Sequence, residues 1–162
     1  MDRSHIRDVS VNVAVITVST SRTEENDKSG KIIIELVKKE KYDPAYYKIV
    51  PDDIEKIRQA LYEALEVCNC IIITGGTGLT HDDCTIEAVS PVFEKSIDGF
   101  GELFRVKSYE EIGTRALLSR AAAGVFKGKA IFCIPGSEGA VRLATGEIIL
   151  PEIKHILTHA SK

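Results

Sequence analysis

The sequence predicts an α/β fold of three layers, α/β/α, with a mostly parallel sheet carrying helices on both faces. Two observations carry this prediction. Runs of aliphatic and β-branched residues, notably residues 11–18 and 70–74, show little polar alternation and read as strands covered on both faces. Between them, apolar residues recur every three or four positions, the period of amphipathic helices. Strands alternating with helices give parallel pairing. The 162 residues suit one domain rather than two. Residues 1–10, polar and charged at their start, are read as an N-terminal extension, and residues 11–162 as a single domain.

The elements follow in order. Residues 11–18 form the first strand, and a polar stretch over 19–30 leads to a helix whose face is Ile32, Ile33, Leu36 and Val37. Residues 46–50 form a second strand, stopped by Pro51. Asp52 opens the next helix, with Glu55 three residues on in the spacing of a capping box. Ile54, Ile57, Leu61, Leu65 and Cys68 share one face of that helix. A third strand covers 70–74 and a glycine-rich loop follows. A helix over 85–95 is expected to break or kink at Pro91. A further helix covers 99–112 and a shorter one 115–123. Val125 and Phe126, the turn Lys127-Gly128-Lys129 and residues 130–134 read as strand, turn and strand. After the turn Pro135-Gly136-Ser137, residues 138–159 are mostly helix, divided by Gly146 and Pro151.

Composition narrows the function. The formal net charge of −3 gives no overall attraction to nucleic acid. No apolar run approaches the roughly 18 residues that span a bilayer, and the polar start is not a secretory signal, so the cytoplasm is expected. Cys68, Cys70, Cys84 and Cys133 fit neither zinc spacing nor a secreted disulfide framework; Cys68, Cys70 and Cys133 read as small core residues. His155 and His159 read as a solvated helix end, without the glutamate of a zinc helix.

Ligands of open α/β sheets bind beyond the carboxyl ends of the strands. Three loops fall there: Ser19-Thr20-Ser21, Thr74-Gly75-Gly76-Thr77-Gly78 with its continuation to Asp83, and Pro135-Gly136-Ser137. Small residues let backbone N–H groups approach phosphate oxygens, so the three loops suit a phosphorylated ligand. The glycine loop is neither a P-loop, which needs Lys and Ser/Thr after its last glycine, nor a G-x-G-x-x-G turn, since His81 stands at the third glycine position. A sharp turn without a ligand is the alternative. Asp83 either caps the helix at Thr85 or holds a hard cation beside phosphates. Asp52 either caps its helix or reaches the site from a strand end.

The residues Thr74-Gly75-Gly76-Thr77-Gly78-Leu79-Thr80, with Asp83 and Thr85, resemble the signature of the MoaB/MogA family of molybdenum cofactor biosynthesis proteins. Asp27-Lys28-Ser29-Gly30, Ile49-Val50-Pro51-Asp52, Gly99-Phe100-Gly101-Glu102, and Leu118-Ser119-Arg120 with Pro135-Gly136-Ser137 agree, in family order, over nearly all the chain after residue 10. The resemblance implies a molybdopterin-binding fold and Mg²⁺-dependent adenylylation of molybdopterin by ATP, with release of pyrophosphate. It implies that Asp52 and Asp83 are catalytic, with Asp83 on Mg²⁺. It implies that Thr74 to Gly78 cradle phosphate, that Ser137 and the Ser19-Thr20-Ser21 loop bind on the pterin side with Pro135 and Gly136, and that Glu102 shapes the pocket. It further implies a homo-oligomer, trimer or hexamer, and a downstream metal-insertion protein. Two departures stand out. Asp83-Cys84-Thr85-Ile86-Glu87-Ala88 replaces the common D-V-T-P-E-A, and Thr20 stands where an aspartate is frequent. The segment 99–113 leans to the MoaB branch, which includes non-catalytic members, so pterin binding without turnover is the alternative function.

Overall fold

The computed structural model describes residues 8–162; the N-terminal extension assigned from sequence lies largely outside them. Of its described part, Val9 already packs on the core and the Ser10 carbonyl accepts a hydrogen bond from Asn69.

The strands are β1 (Asn12–Val18), β2 (Asp43–Val50), β3 (Cys70–Thr74), β4 (Lys95–Ser96), β5 (Ala122–Phe126) and β6 (Lys129–Ile134). The helices are α1 (Lys28–Lys39), α2 (Ile54–Val67), α3 (Thr85–Val89), α4 (Asp98–Ile112), α5 (Glu138–Arg142) and α6 (Leu150–Ala160). They build one six-stranded sheet in the order β2-β1-β3-β6-β5-β4. The pairings β2–β1, β1–β3 and β3–β6 are parallel, while β5 joins β6 and β4 joins β5 antiparallel. The sheet is therefore mixed, with its parallel part on one side and an antiparallel edge on the other.

Both faces are covered, as the aliphatic strands require. Val13, Val15, Cys70, Ile72, Phe132 and Ile134 point into one cluster, filled from α1, α4, α6 and the helical turns before it. Ala14, Ile16, Ile71, Ile73, Ile131 and Cys133 point into the other, filled by α2 and α3. Ile71, Ile72 and Ile73 have no exposed surface. The alternation of β-strand side chains thus feeds two apolar layers rather than one apolar and one wet face.

Several boundaries differ from the sequence reading, each for a local reason. α2 is capped by Asp53, whose side chain accepts from the Lys56 N–H, so Asp52 is left outside the helix. The predicted helix over 85–95 stops at Val89; Pro91 turns the chain into a 3₁₀ segment, Ser90–Val92, and the short strand β4 follows. The predicted helix over 115–123 is a 3₁₀ segment, Gly113–Leu118, and then strand, because residues 122–126 pair along β6. From Glu138 to Ala160 the helical path is unbroken: a π-helical segment, Leu143–Ile149, joins α5 to α6, and Pro151 sits in the first turn of α6, where its missing N–H costs least.

Candidate functional site

Parallel strands bring three loops to one end of the sheet. The chain leaves β3 at Thr74 and β6 at Ile134, adjacent strands whose ends are in register. The glycine loop and the Pro135-Gly136-Ser137 turn are therefore neighbours, and the Gly75 N–H donates to the Ile134 carbonyl at 3.0 Å. Gly75, Gly76, Thr77, Gly78, Asp83, Pro135, Gly136 and Ser137 line one cleft of about 390 Å³. Its far wall comes from α4 and the turn after it, through Phe104, Ser108, Arg115 and Ser119.

The carbonyls of these loops are held from within the protein. Thr74, fully buried, donates its hydroxyl to Pro135 O at 2.9 Å. Ser29 donates to Gly136 O at 2.6 Å. Thr85 engages both Gly75 O, through its hydroxyl at 2.7 Å, and Gly76 O, through its N–H at 3.0 Å. Arg120 takes Thr77 O and Gly78 O. In a trans peptide the N–H points opposite the preceding carbonyl, so the N–H groups of Gly76, Thr77, Gly78, Leu79, Gly136 and Ser137 are turned away from these donors. None of the six has a protein acceptor among the described residues. Clustered, unpartnered backbone donors beside a cleft are an anion site.

The glycines are needed here for space as well as conformation. Gly76 has φ +68, and a Cβ on it would stand 2.3 Å from the Thr85 hydroxyl. On Gly78 a Cβ would stand 2.6 Å from Asp83 Oδ2.

Asp83 does not cap α3. That position belongs to Cys84, which makes no side-chain cap. Instead Asp83 Oδ2 accepts from the N–H of Thr80 at 3.0 Å and its hydroxyl at 2.8 Å, closing the glycine loop on itself. Its other oxygen has no hydrogen bond among the described residues and is available to a ligand. Asp52 lies across the glycine loop from the cleft. A Cβ on Gly76 would be 3.3 Å from Asp52 Oδ1, and Thr20 donates to Asp52 Oδ2 at 2.8 Å. Asp52 lines a second, acidic cleft of about 480 Å³ with Asp53, Glu55, His81, Asp82 and Cys84. The Cys84 thiol is held above its usual range, first by burial and then by the charges of Asp52, Glu87, Asp53 and Asp83.

The first loop sits on the Asp52 side. The Ser19 hydroxyl accepts from the N–H groups of Ser21 and Arg22, and the Ser19 N–H donates to Val50 O. Ser19, Thr20 and Ser21 thus stand beside Asp52 and do not line the cleft of the glycine loop. Glu102 is not in that cleft either. Phe104 and Ser108 face it from α4, and residues two positions apart on a helix point to different sides; Glu102 lines a separate cleft with Asp98 and Arg105.

Sequence reasoning missed three contributors. Arg115 lines the cleft with no partner among the described residues. Arg120 and Ser29 hold the loops from behind; both stood in recognised motifs, but only their hydrogen bonds give them a task. Among the described residues no group of three or more His, Cys, Asp or Glu side chains could hold a metal by itself. Mg²⁺, which keeps waters and is commonly held by one or two carboxylates plus substrate phosphates, fits the free oxygen of Asp83 beside the glycine loop; Asp52 lies on the other side of that loop.

Fold and site together define an α/β protein with a cluster of free backbone N–H donors, suited to an anion, at the carboxyl ends of its parallel strands. Residues 14–155 match the family model described as a probable molybdopterin binding domain. The chain belongs to that family, the MoaB/MogA group of molybdenum cofactor biosynthesis proteins. It is 49% identical over 149 residues to molybdenum cofactor biosynthesis protein B of Bacillus cereus, covering 90% of this chain and 88% of that one. A crystal structure of a molybdenum cofactor biosynthesis protein B superposes with a TM-score of 0.90 at 47% identity, covering 94% and 96% of the two chains. The tungsten cofactor synthesizing protein MoaB from Pyrococcus furiosus superposes with a TM-score of 0.88 at 44% identity, covering 94% and 98%.

Proposed function

We propose that this protein acts in molybdenum cofactor biosynthesis, binding molybdopterin by its terminal phosphate and adenylylating it with ATP. The observation that carries the reading is the set of backbone N–H groups left unpartnered at the cleft when their neighbouring carbonyls are taken up inside the protein. The exposed apolar side chains of Ile112 and Leu118, beside Ser119, suit the face of a pterin ring, and Arg115 suits a phosphate.

In the reaction, a phosphate oxygen of molybdopterin attacks the α-phosphorus of ATP. The bond from that phosphorus to its bridging oxygen breaks and pyrophosphate leaves. Such a transfer depends on positioning and on charge neutralisation more than on a covalent nucleophile. The glycine loop lies between the two clefts, so it can hold the acceptor phosphate while the acidic side, with Asp52, receives the nucleotide. Asp83 would hold Mg²⁺, whose chemistry is to neutralise phosphate charge, while Asp52 would face the nucleotide from the other side of the loop. The setting proposed is the cytoplasm; no helix among the described residues is long and apolar enough to cross a membrane.

The test is incubation of the purified protein with ATP, Mg²⁺ and molybdopterin, with detection of adenylylated product. Asp83→Asn is expected to lower turnover by at least about a hundredfold, the scale of losing one electrostatic stabiliser, while molybdopterin still binds. Product formed equally by this variant would remove Asp83 from the chemistry. A second reading, pterin binding without turnover, is favoured by one feature: Thr20 occupies an Asp52 oxygen with its hydroxyl, which leaves that carboxylate fewer sites for a cation. Tight molybdopterin binding with no product from the unaltered protein would select it.

A further inference from the structure

Arg120 lies in the segment between the 3₁₀ turn and β5, just outside the cleft. Its Nε is 3.2 Å from Thr77 O and 3.1 Å from Gly78 O, and its Nη2 is 2.8 Å from Gly78 O. The same guanidinium meets both carboxylate oxygens of Glu87 on α3, with Nη2 3.2 Å from Oε1 and Nη1 in closer contact with Oε2. Arg105, from α4, anchors the following residue by donating to Ala121 O at 3.0 Å. A single side chain therefore ties the second half of the glycine loop to α3 and to the wall opposite.

We propose that Arg120 is a positioning residue of the anion site: by holding the Thr77 and Gly78 carbonyls from behind, it turns the Gly78 and Leu79 N–H groups toward the bound phosphate, and Glu87 fixes the guanidinium in that pose. This rests on the anion-cradle reading of the glycine loop and adds its mechanism. Gly78 has no side chain to hold its peptide plane; Thr85 holds the carbonyls of the first half of the loop, and among the described residues only Arg120 donates to those of the second half. The planar fork of arginine can serve two carbonyls and a carboxylate at once; the point charge of lysine cannot.

The experiment compares the unaltered protein with Arg120→Lys and Glu87→Gln. Inorganic pyrophosphate binding is measured by titration calorimetry, and amide hydrogen exchange is followed over residues 76–79 and 136–137 with and without pyrophosphate. Arg120→Lys keeps the charge and is expected to bind about tenfold more weakly, and Glu87→Gln about threefold more weakly. In the unaltered protein pyrophosphate slows exchange in both segments. In Arg120→Lys the slowing is lost at Gly78 and Leu79 and kept at Gly136 and Ser137. Unchanged affinity and slowing in Arg120→Lys would overturn the clamp alone, as would loss of slowing in both segments, which marks general damage. No slowing anywhere in the unaltered protein would overturn the phosphate reading, and the clamp with it.

Discussion

Cys84 is a built-in sensor of the charge around the site. Its thiol is kept protonated by burial first, and then by four carboxylates that include Asp52 and Asp83. A protonated thiol is a poor nucleophile, so Cys84 should alkylate slowly at neutral pH. Asp52→Asn removes one negative charge. The Cys84 pKa then falls, the thiolate fraction rises, and alkylation by iodoacetamide should quicken by roughly threefold, the change for about half a pKa unit. Peptide mass spectrometry reads Cys84 separately from Cys70 and Cys133, which are fully buried and serve as unreactive controls. An unchanged rate would mean that Asp52 does not act on Cys84. At this scale the sequence was a partial guide. Asp52 and Asp83 stood out by position, yet whether either capped a helix turned on a shift of one residue: Asp53 caps α2, Cys84 sits at the cap of α3, and both neighbouring aspartates are left for the site. Asp27 stood in a family motif with no role assigned from sequence; it is fully buried, capping α1 and bonded to Thr17 and Tyr47. No local pattern announces a carboxylate satisfied by partners ten and twenty residues away.

Among the elements, β5 is where the structure departs most from its local sequence. Ala121, Ala122, Ala123 and Gly124 offer no β-branched signal, and small residues favour a helical reading. Pairing with β6 decides the matter, since Ala123 lies buried in the core beneath α4 and Gly124 has the Phe93 ring over it. By contrast β1, β3 and the second half of β6 were plain from sequence, because a strand covered on both faces must be aliphatic throughout. The same geometry makes a prediction. A Cβ on Gly124 would come within 2.2 Å of the Phe93 ring, a clash that only a displaced ring or strand can relieve. Gly124→Ala should therefore destabilise by about 1–3 kcal/mol, as overpacked cores do, measured as a lower denaturation midpoint in urea with an unchanged slope. Phe93→Leu in the same background should recover part of the loss. If Gly124→Ala is neutral, the ring has room that the structure does not give it.

For the molecule as a whole, α4 does more than close the cleft. Phe100, Phe104 and Ser108 face inward and are buried. Leu103, Val106 and Tyr109 face outward, with Val106 61% exposed, and Leu117 in the following turn is 74% exposed. A helix apolar on both sides wants a second surface, and a grouped apolar exposure of this kind marks a protein interface. We propose a second copy of this chain as the occupant, in line with the homo-oligomer that the family resemblance implies. Sedimentation should then give a mass several times the 17.8 kDa of one chain. Val106→Glu combined with Leu117→Glu places charges on the face and should shift the protein to the single-chain mass without unfolding it, since neither side chain belongs to the core. A further consequence links assembly to the site. Ile112 and Leu118, about half exposed, line the cleft and also border this face. If a neighbouring copy covers them, it supplies part of the dry wall against which a pterin would stack. The separated variant should then bind molybdopterin several-fold more weakly, while its glycine loop still binds pyrophosphate as before. A variant that stays assembled would move the interface off α4. One that separates yet keeps full molybdopterin affinity would show that each cleft is complete within its own chain.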